Sequence, residues 1–428
     1  MMPANDSENL VLADSPHSVD ELNAEFYTRF PYPWRALKFD YLENPYFDTI
    51  MLNQDLGAWH GELVPRRPQI WIAGCGTNQA IIKALRFPQA RVLGTDVSTG
   101  SLEICSETAK QLDVSNLELK QESINEVKYK DQFDYIVSTG VIHHNADPQA
   151  TLQRIAAALK PSGILELMVY NRFHWTIPAA FQKAVRILNR DDDAVDFESG
   201  LTLAKTIIEE VSQDTSIGVV AGYRDYSDAM LADELLQPVL HSYTVESLAE
   251  LAESCGLEIV LPCLNQFDRA EQRWSWNIEF QNEKLRETYE SLPDLRRWQV
   301  TNLLLREASP QLWFYLQRKD ARRKRKSEHE ICEEFLSTRF TRASTVQRAY
   351  MQSDNGKFRM LPGTIAYPSV APDKSVGKIL AALDETRPLR STFEKLGIEP
   401  AFSVVNKARM LLSTSVFPYL KAITSPGL

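Results

Sequence analysis

From residue 69 onward, short apolar runs alternate with amphipathic stretches. Residues 69–73 are apolar and end in Gly74-Cys75-Gly76, which predicts a buried strand leading into a tight turn. Residues 78–86 place Ala80, Ile81 and Leu85 on one helical face. Residues 90–95 form the next strand, ending at Asp96, and 98–112 read as a helix with Ser98 or Thr99 as N-cap. Strands follow at 117–121 and 133–138. A helix at 150–159 stops at Pro161-Ser162-Gly163, and a fifth strand covers 164–170. The rhythm pauses over a mostly helical stretch, 172–240. It resumes with a helix capped by Thr244 and ended by Gly256, a strand at 257–261, a second helical insert at 265–305, and a seventh strand at 311–316. Strands separated by helices imply crossover connections and a parallel sheet.

Both ends depart from this pattern. Residues 1 to about 20 are polar and expected to be disordered. The first ordered element is expected near Val19, leading into Phe26-Tyr-Thr-Arg-Phe30-Pro-Tyr-Pro-Trp34, whose alternate prolines predict an extended, aromatic-rich segment. After residue 320 come a helical stretch, Asp354-Asn355-Gly356 between two strand-like runs, helices near 375–384 and 390–397, and a helix-like run at 400–422. Asn-Gly between such runs predicts a hairpin. The expected organisation is an N-terminal cap (1–66), a central α/β domain (67–320) with the inserts 172–240 and 265–305, and a small α+β, winged-helix-like accessory domain (321–428) that could hold a substrate protein or a second subunit.

Composition sharpens this reading. The 428 residues carry a net charge of −10, yet residues 318–326 hold seven bases and one acid, which leaves −16 on the remainder. An acidic body disfavours general nucleic-acid or anionic-membrane binding. The basic run reads as a solvated linker or helix face, or as a patch for nucleic acid or an acidic partner. The five cysteines (Cys75, Cys105, Cys255, Cys263, Cys332) include no C-x-x-C, so neither a disulfide scaffold nor a zinc site is expected. The start of the chain has no signal-peptide pattern, and no apolar run is long enough to span a bilayer. The expected location is the cytoplasm. The cluster Asp191-Asp192-Asp193 reads as a solvated loop rather than a metal site.

The chemistry concentrates at the strand ends. Gly74 and Gly76 let backbone turn sharply and approach a ligand. The following helix presents its N-terminal N–H groups there. Asp96, twenty residues past Gly76, can accept both hydroxyls of a ribose. A dinucleotide site wants a third glycine at position 79; Gln79 stands there and speaks against NAD.

Together with Gly140-Val-Ile-His143-His144, Asp147-Pro148 and Lys160-Pro161-Ser-Gly163, the glycine turn and Asp96 resemble the class I S-adenosylmethionine-dependent methyltransferases. The resemblance covers about residues 68–317. The Phe-Pro-Tyr-Pro-Trp segment is similar to one bacterial branch of these enzymes. The resemblance implies a Rossmann-like, mostly parallel seven-stranded sheet and S-adenosylmethionine as cofactor. The implied cofactor-binding residues are Gly74, Cys75, Gly76, Asn78, Asp96, Val97, Ser123, Ile124, Thr139 and Gly140, with Tyr27 and Phe30 closing over the site. Two positions depart from the family pattern: Ile72 replaces an acid before the first glycine, and Asn78 a third glycine.

Methyl transfer from a sulfonium needs an aligned nucleophile and a base only if the nucleophile arrives protonated. Candidates for that role are His143, His144 and Tyr170; the alternative reading of the histidines is that they only shape their loop. Asn171, Arg172, His174, His241 and Tyr243 are candidates for holding the acceptor. Trp274 and Trp276 face one side of an extended segment, as core or as a stacking wall. The bulk of the inserts leans towards an O or N nucleophile on a peptide, a protein side chain or a bulky metabolite. A tRNA-modifying enzyme and a catalytically silent scaffold of the same fold are the alternatives.

Overall fold

The computed structural model describes residues 18–189, 196–210, 216–264, 276–306 and 309–423. Trp274, Asp191-Asp192-Asp193 and residues 1–17 lie outside the described residues.

Seven strands form the central sheet: β2 (Gln69–Ala73), β3 (Arg91–Asp96), β4 (Leu117–Gln121), β5 (Phe133–Thr139), β6 (Leu159–Tyr170), β7 (Leu257–Pro262) and β8 (Gln311–Arg318). Their spatial order is β4-β3-β2-β5-β6-β8-β7. Neighbours from β4 to β6 pair in parallel, and β8 is antiparallel to both β6 and β7. This is the α/β sheet the alternation predicts. Residues of β2 beyond Gln69 are all buried, as expected of a parallel strand covered on both faces. Helix α3 (Gln79–Arg86) lays Ala80, Ile81 and Ala84 on the sheet. Helix α4 (Thr99–Gln111) starts at Ser98, whose hydroxyl accepts the Ser101 amide. Helix α5 (Pro148–Ala158) starts at Asp147, with Pro148 in the first turn, where its missing N–H has no cost.

The N-terminal segment differs from expectation in one respect. Helix α1 (Val19–Arg29) is closed by a Ser18–Glu21 capping box and carries Phe26 to Arg29 in its last turn, so the extended stretch begins only at Phe30. The helical insert contributes α6 (Arg172–Leu188), α7 (Phe197–Glu210) and α8 (Asp228–Leu235). These build their own apolar cluster with Phe26 and Phe30 of the N-terminal segment. Trp276 is 3% exposed and sits 5.5 Å from Phe314, a core position.

The tail shares its core with the central sheet. Strand β1 (Lys38–Leu42) pairs with β10 (Thr345–Gln352), so an N-terminal strand completes the tail's sheet. The hairpin from β10 into β11 (Phe358–Met360) turns at Gly356, with φ +77°. The run at 400–422 is a helix only over Phe402–Leu412, followed by a short strand, Leu420–Ala422, paired with Phe340–Arg342. One continuous apolar cluster runs from Phe39 through the sheet to Ala422. The core of the tail is therefore continuous with that of the central sheet. A buried ion network adds to the join: Arg297, fully buried, donates to Asp294 at 2.6 Å and to Glu328 at 2.9 Å. The basic run is neither a free linker nor an open patch over its length. Arg318 pairs with Asp131 and Asp320, Lys319 with Glu253, Arg325 with Asp294 and Lys326 with Glu334. All five cysteines are free thiols. Among the described residues no helix is long and apolar enough to cross a membrane.

Candidate active site

The carboxyl ends of β2, β3, β5 and β6 open into a cavity of about 370 Å³, covered by α1 and by the insert helix α8. That size suits a small-molecule ligand.

The turn after β2 is built for close approach. Gly74 and Gly76 have φ of +77° and +53°. A Cβ at Gly74 would clash with Val141, and one at Gly76 would lie 2.5 Å from the Tyr32 carbonyl oxygen. Only glycine fits either position without strain. The Gly74 and Cys75 amides both donate to Thr95 O at 2.9 Å, fixing the turn against β3. Asp96 then accepts the Gly76 amide at 2.8 Å and the Ser98 amide at 2.9 Å. Burial raises the Asp96 pKa, and these amides pull it back.

One face of α1 forms the lid. Asp20, Asn23 and Tyr27 all line the cavity. Asp20 accepts hydrogen bonds from Ser123 and, at 2.9 Å, from Asn125. Asn23 donates to His144 O at 2.8 Å, while its Oδ1 has no partner. At the far end, the Tyr170 ring stacks on Trp175 at 3.7 Å and 10°. Gln237 donates to the hydroxyls of Tyr170 (3.2 Å) and Tyr27 (3.4 Å) and to Asp233 (3.1 Å). Burial pushes the carboxyls of Asp233 and Glu234 up to about 8 and about 7.

Of the residues singled out in the sequence, Tyr27, Gly74, Cys75, Gly76, Asn78, Asp96, Val97, Ser123, Ile124, Thr139, Gly140, His144, Tyr170 and His174 line this one cavity. Six do not. Phe30 is buried in the insert's apolar cluster instead. His143 is fully buried behind the wall, with its ring 4.0 Å from Tyr170 and neither nitrogen partnered; burial holds its pKa well down. Asn171 caps α6 and donates to the carbonyls of Arg306 and Ser309. Arg172 donates to Ser242 O, His241 Nε2 bonds Asn145 O at 3.0 Å, and Tyr243 packs at the edge of the main core. Arg172 and Tyr243 tie the end of β6 to the loop before α9 (Val245–Ser254), His241 ties that loop to the turn after β5, and Asn171 ties the end of β6 to the chain just before β8. His144 does line it, but its Nδ1 is held by Val239 O at 2.8 Å and burial lowers its pKa to about 4. A proton on Nδ1 makes that bond, so His144 is neutral near pH 7.

The wall also holds residues the sequence reading missed: Asp20, Asn23, Gln79, Trp175, Asp233 and Glu234. Asp20, Asn23 and Tyr27 sit at i, i+3 and i+7, a signal legible once the helix is known to reach Arg29. Asp233 and Glu234 lie in a helix far along the chain, with no motif around them.

Residues 73–199 match a family described as a methyltransferase domain. This stretch, about a third of the chain, is similar to methyltransferase domains. S-adenosylmethionine is the cofactor that goes with this domain, and the residues present fit it: a two-glycine cradle that any Cβ would fill, and a carboxylate at the tip of the neighbouring strand. Among solved structures, the fold is similar to PKMT2 from Rickettsia typhi, with TM-score 0.55 and 15% identity over 90% of this chain and 76% of that one. The same protein in complex with AdoHcy gives 0.53 and 17%, over 89% and 76%. Among curated sequences, an uncharacterised Synechococcus protein is 27% identical over 56% of this chain. This chain spans 57% of that protein's length. The Escherichia coli tRNA 5-carboxymethoxyuridine methyltransferase is 29% identical over 28% of this chain and 47% of its own length.

Proposed function

We propose that this chain is an active S-adenosylmethionine-dependent methyltransferase acting, in the cytoplasm, on an O or N nucleophile carried by a peptide, a protein side chain or a bulky metabolite. The observation that carries the reading is the continuity of one cavity from Gly74, Gly76 and Asp96 to Tyr170, Trp175 and Asp233. A nucleoside end and an acceptor end thus share one chamber, roofed by α1 and α8.

In this reading Asp96 takes the ribose hydroxyls, the Gly74–Gly76 backbone takes the amino-acid end, and Ser123 and Ile124 border the base. The cofactor supplies an activated methyl group on a sulfonium. The protein's work is then alignment and exclusion of water. Asn23 and Tyr27 close the lid, and the Tyr170–Trp175 stack forms the floor on which the acceptor is oriented. His143 and His144, buried and neutral, shape that floor. The segment from Phe30 to Trp34 leads the lid across the glycine turn: the Thr77 hydroxyl donates to Pro33 O at 2.5 Å, and Asn78 Nδ2 donates to Trp34 O at 3.3 Å.

Calorimetric titration with S-adenosylmethionine and with its demethylated product tests the cofactor assignment; absence of heat with both would sink it. Transfer of labelled methyl into a fractionated extract tests the acceptor. Label in a protein or small-molecule fraction supports the reading, and label confined to RNA overturns it.

A further inference from the structure

We propose that the acceptor is a nitrogen nucleophile that enters the cavity as an ammonium group, received by Asp233, Glu234 and the side-chain oxygen of Asn23. This rests on the methyltransferase reading above and names the substrate class of that same site.

The lining of the cavity is one-sided in charge. Five carboxyl side chains line it (Asp20, Asp96, Glu122, Asp233 and Glu234), and among the described residues no lysine or arginine does. Three of the five belong to the nucleoside end. Asp96 is held by the glycine turn, Asp20 by Ser123 and Asn125, and Glu122 by the Tyr129 hydroxyl. Asp233 and Glu234 belong to the other end, on α8, with Asp233 joined through Gln237 to the hydroxyls of Tyr27 and Tyr170. Asp233 is 5% exposed. Its neighbours there, Gln237, Tyr27 and Tyr170, carry no positive charge.

Asn23 supplies an independent observation. It is 7% exposed and lines the cavity, yet its Oδ1 has no hydrogen-bond partner. A buried acceptor without a donor costs about 1–3 kcal/mol, so a ligand N–H has a ready place there. Asn23 is fixed by its bond to His144 O, and the His144 ring is 6.5 Å from Tyr27 and 5.4 Å from Tyr170. Carboxylates, an unpaired amide oxygen and the aromatic rings of Tyr27, Tyr170 and Trp175 together suit a group with several donors and a positive charge. An alcohol has one donor and no charge, and could not donate to Asn23 Oδ1 and to the pair together.

The same pair serves the chemistry. Burial favours the protonated forms of Asp233 and Glu234, so either carboxylate, once ionised against the incoming cation, is a competent proton acceptor. The ammonium gives one proton to the carboxylate and becomes an amine. Its lone pair forms the new N–C bond to the methyl carbon while the S–C bond breaks, its electron pair going to sulfur. The products are a methylammonium and a neutral thioether.

The test uses the full chain saturated with S-adenosylhomocysteine, with n-butylammonium and 1-butanol as probes, read by calorimetry. Butylammonium is expected to bind at least ten-fold more tightly than butanol. Asp233→Asn combined with Glu234→Gln should abolish that preference while S-adenosylhomocysteine affinity stays within two-fold. Equal affinity for the two probes, binding of neither, or a preference that survives the double variant overturns the proposal. A loss of S-adenosylhomocysteine affinity beyond two-fold also overturns it, because the pair then serves the cofactor's own ammonium. Should the double variant fail to fold, Glu234→Gln alone, at a partly exposed position, is read the same way. Failure of the wild-type chain to bind S-adenosylhomocysteine at all is a separate outcome: it removes the methyltransferase reading itself.

Discussion

Asp96 accepts the backbone amide of Gly76 at 2.8 Å, tying the tip of β3 to the turn that follows β2. The bond holds the carboxylate at the cavity wall and fixes the glycine turn in its ligand-ready shape. Asp96→Ala is expected to lower S-adenosylmethionine affinity ten- to a hundred-fold, because it removes charge-assisted hydrogen bonds worth about 1.5–3 kcal/mol. Calorimetric titration of the purified variant measures this. Unchanged affinity would show that the ligand does not touch this carboxylate.

Gly74→Ala should be damaging at a position with no side chain to lose. Its φ of +77° is unfavourable for alanine, and the added methyl meets Val141. A cost of about 1–3 kcal/mol is expected. Cofactor binding should fall further than stability does, since relief of the clash must move either the turn or Val141, and both line the cavity. Denaturant unfolding and ligand titration of one preparation separate the two effects.

Arg297→Ala should destabilise the whole chain. The guanidinium is fully buried between Asp294 and Glu328, and its removal leaves buried Glu328 without its ion pair and Asp294 with Arg325 alone. The expected loss is about 3–5 kcal/mol by denaturant unfolding. Because the network joins the second insert to the first helix of the tail, one transition should be destabilised as a unit. Loss of the tail alone, with the sheet unaffected, would contradict the shared core.

His144 gives a pH signature with a definite sign. Its folded pKa, about 4, lies below the ordinary value of 6.5 because the ring is buried. The unfolded chain therefore binds more protons between pH 6.5 and 4. The stabilisation from His144 is complete above pH 6.5 and is lost as pH falls towards 4. Asp55 and Asp233, raised to about 6 and about 8 by burial, work in the opposite sense: their contribution is fully present below the ordinary carboxylate value and declines as pH rises through those values. The wild type is therefore compared with His144→Gln, so that the other groups cancel. The difference in unfolding free energy should shrink on acidification from pH 6.5 to 4, by up to about 3 kcal/mol. A flat difference would mean that the ring is solvated in the folded chain.

The glycine turn was legible because its requirements are local. Positive φ at Gly74 and Gly76 and a carboxylate at the next strand tip leave a mark within thirty residues of sequence. Two helices were legible from their caps, with Ser98 and Thr244 each accepting a backbone amide of the first turn. Phe30 and His241 were misplaced for a complementary reason. A side chain near a site in sequence faces it or turns away according to what packs behind it, and here the insert cluster and the Asn145 carbonyl claim them.

The sequence by itself determined the alternation of strands and helices, the cofactor turn and the identity of the domain, because periodicity, capping and glycine placement act over a few residues. Only the tertiary structure decided the acceptor end. Asn23 on α1 and Asp233 on α8 are 210 positions apart, and no local rule links them. They line one cavity because the apolar faces of α1 and the insert bury against each other around Phe26 and Phe197, at 5.1 Å. The union of β1 with β10 has the same origin: a strand edge is satisfied by whichever backbone the fold brings alongside, and here that backbone is some three hundred residues away.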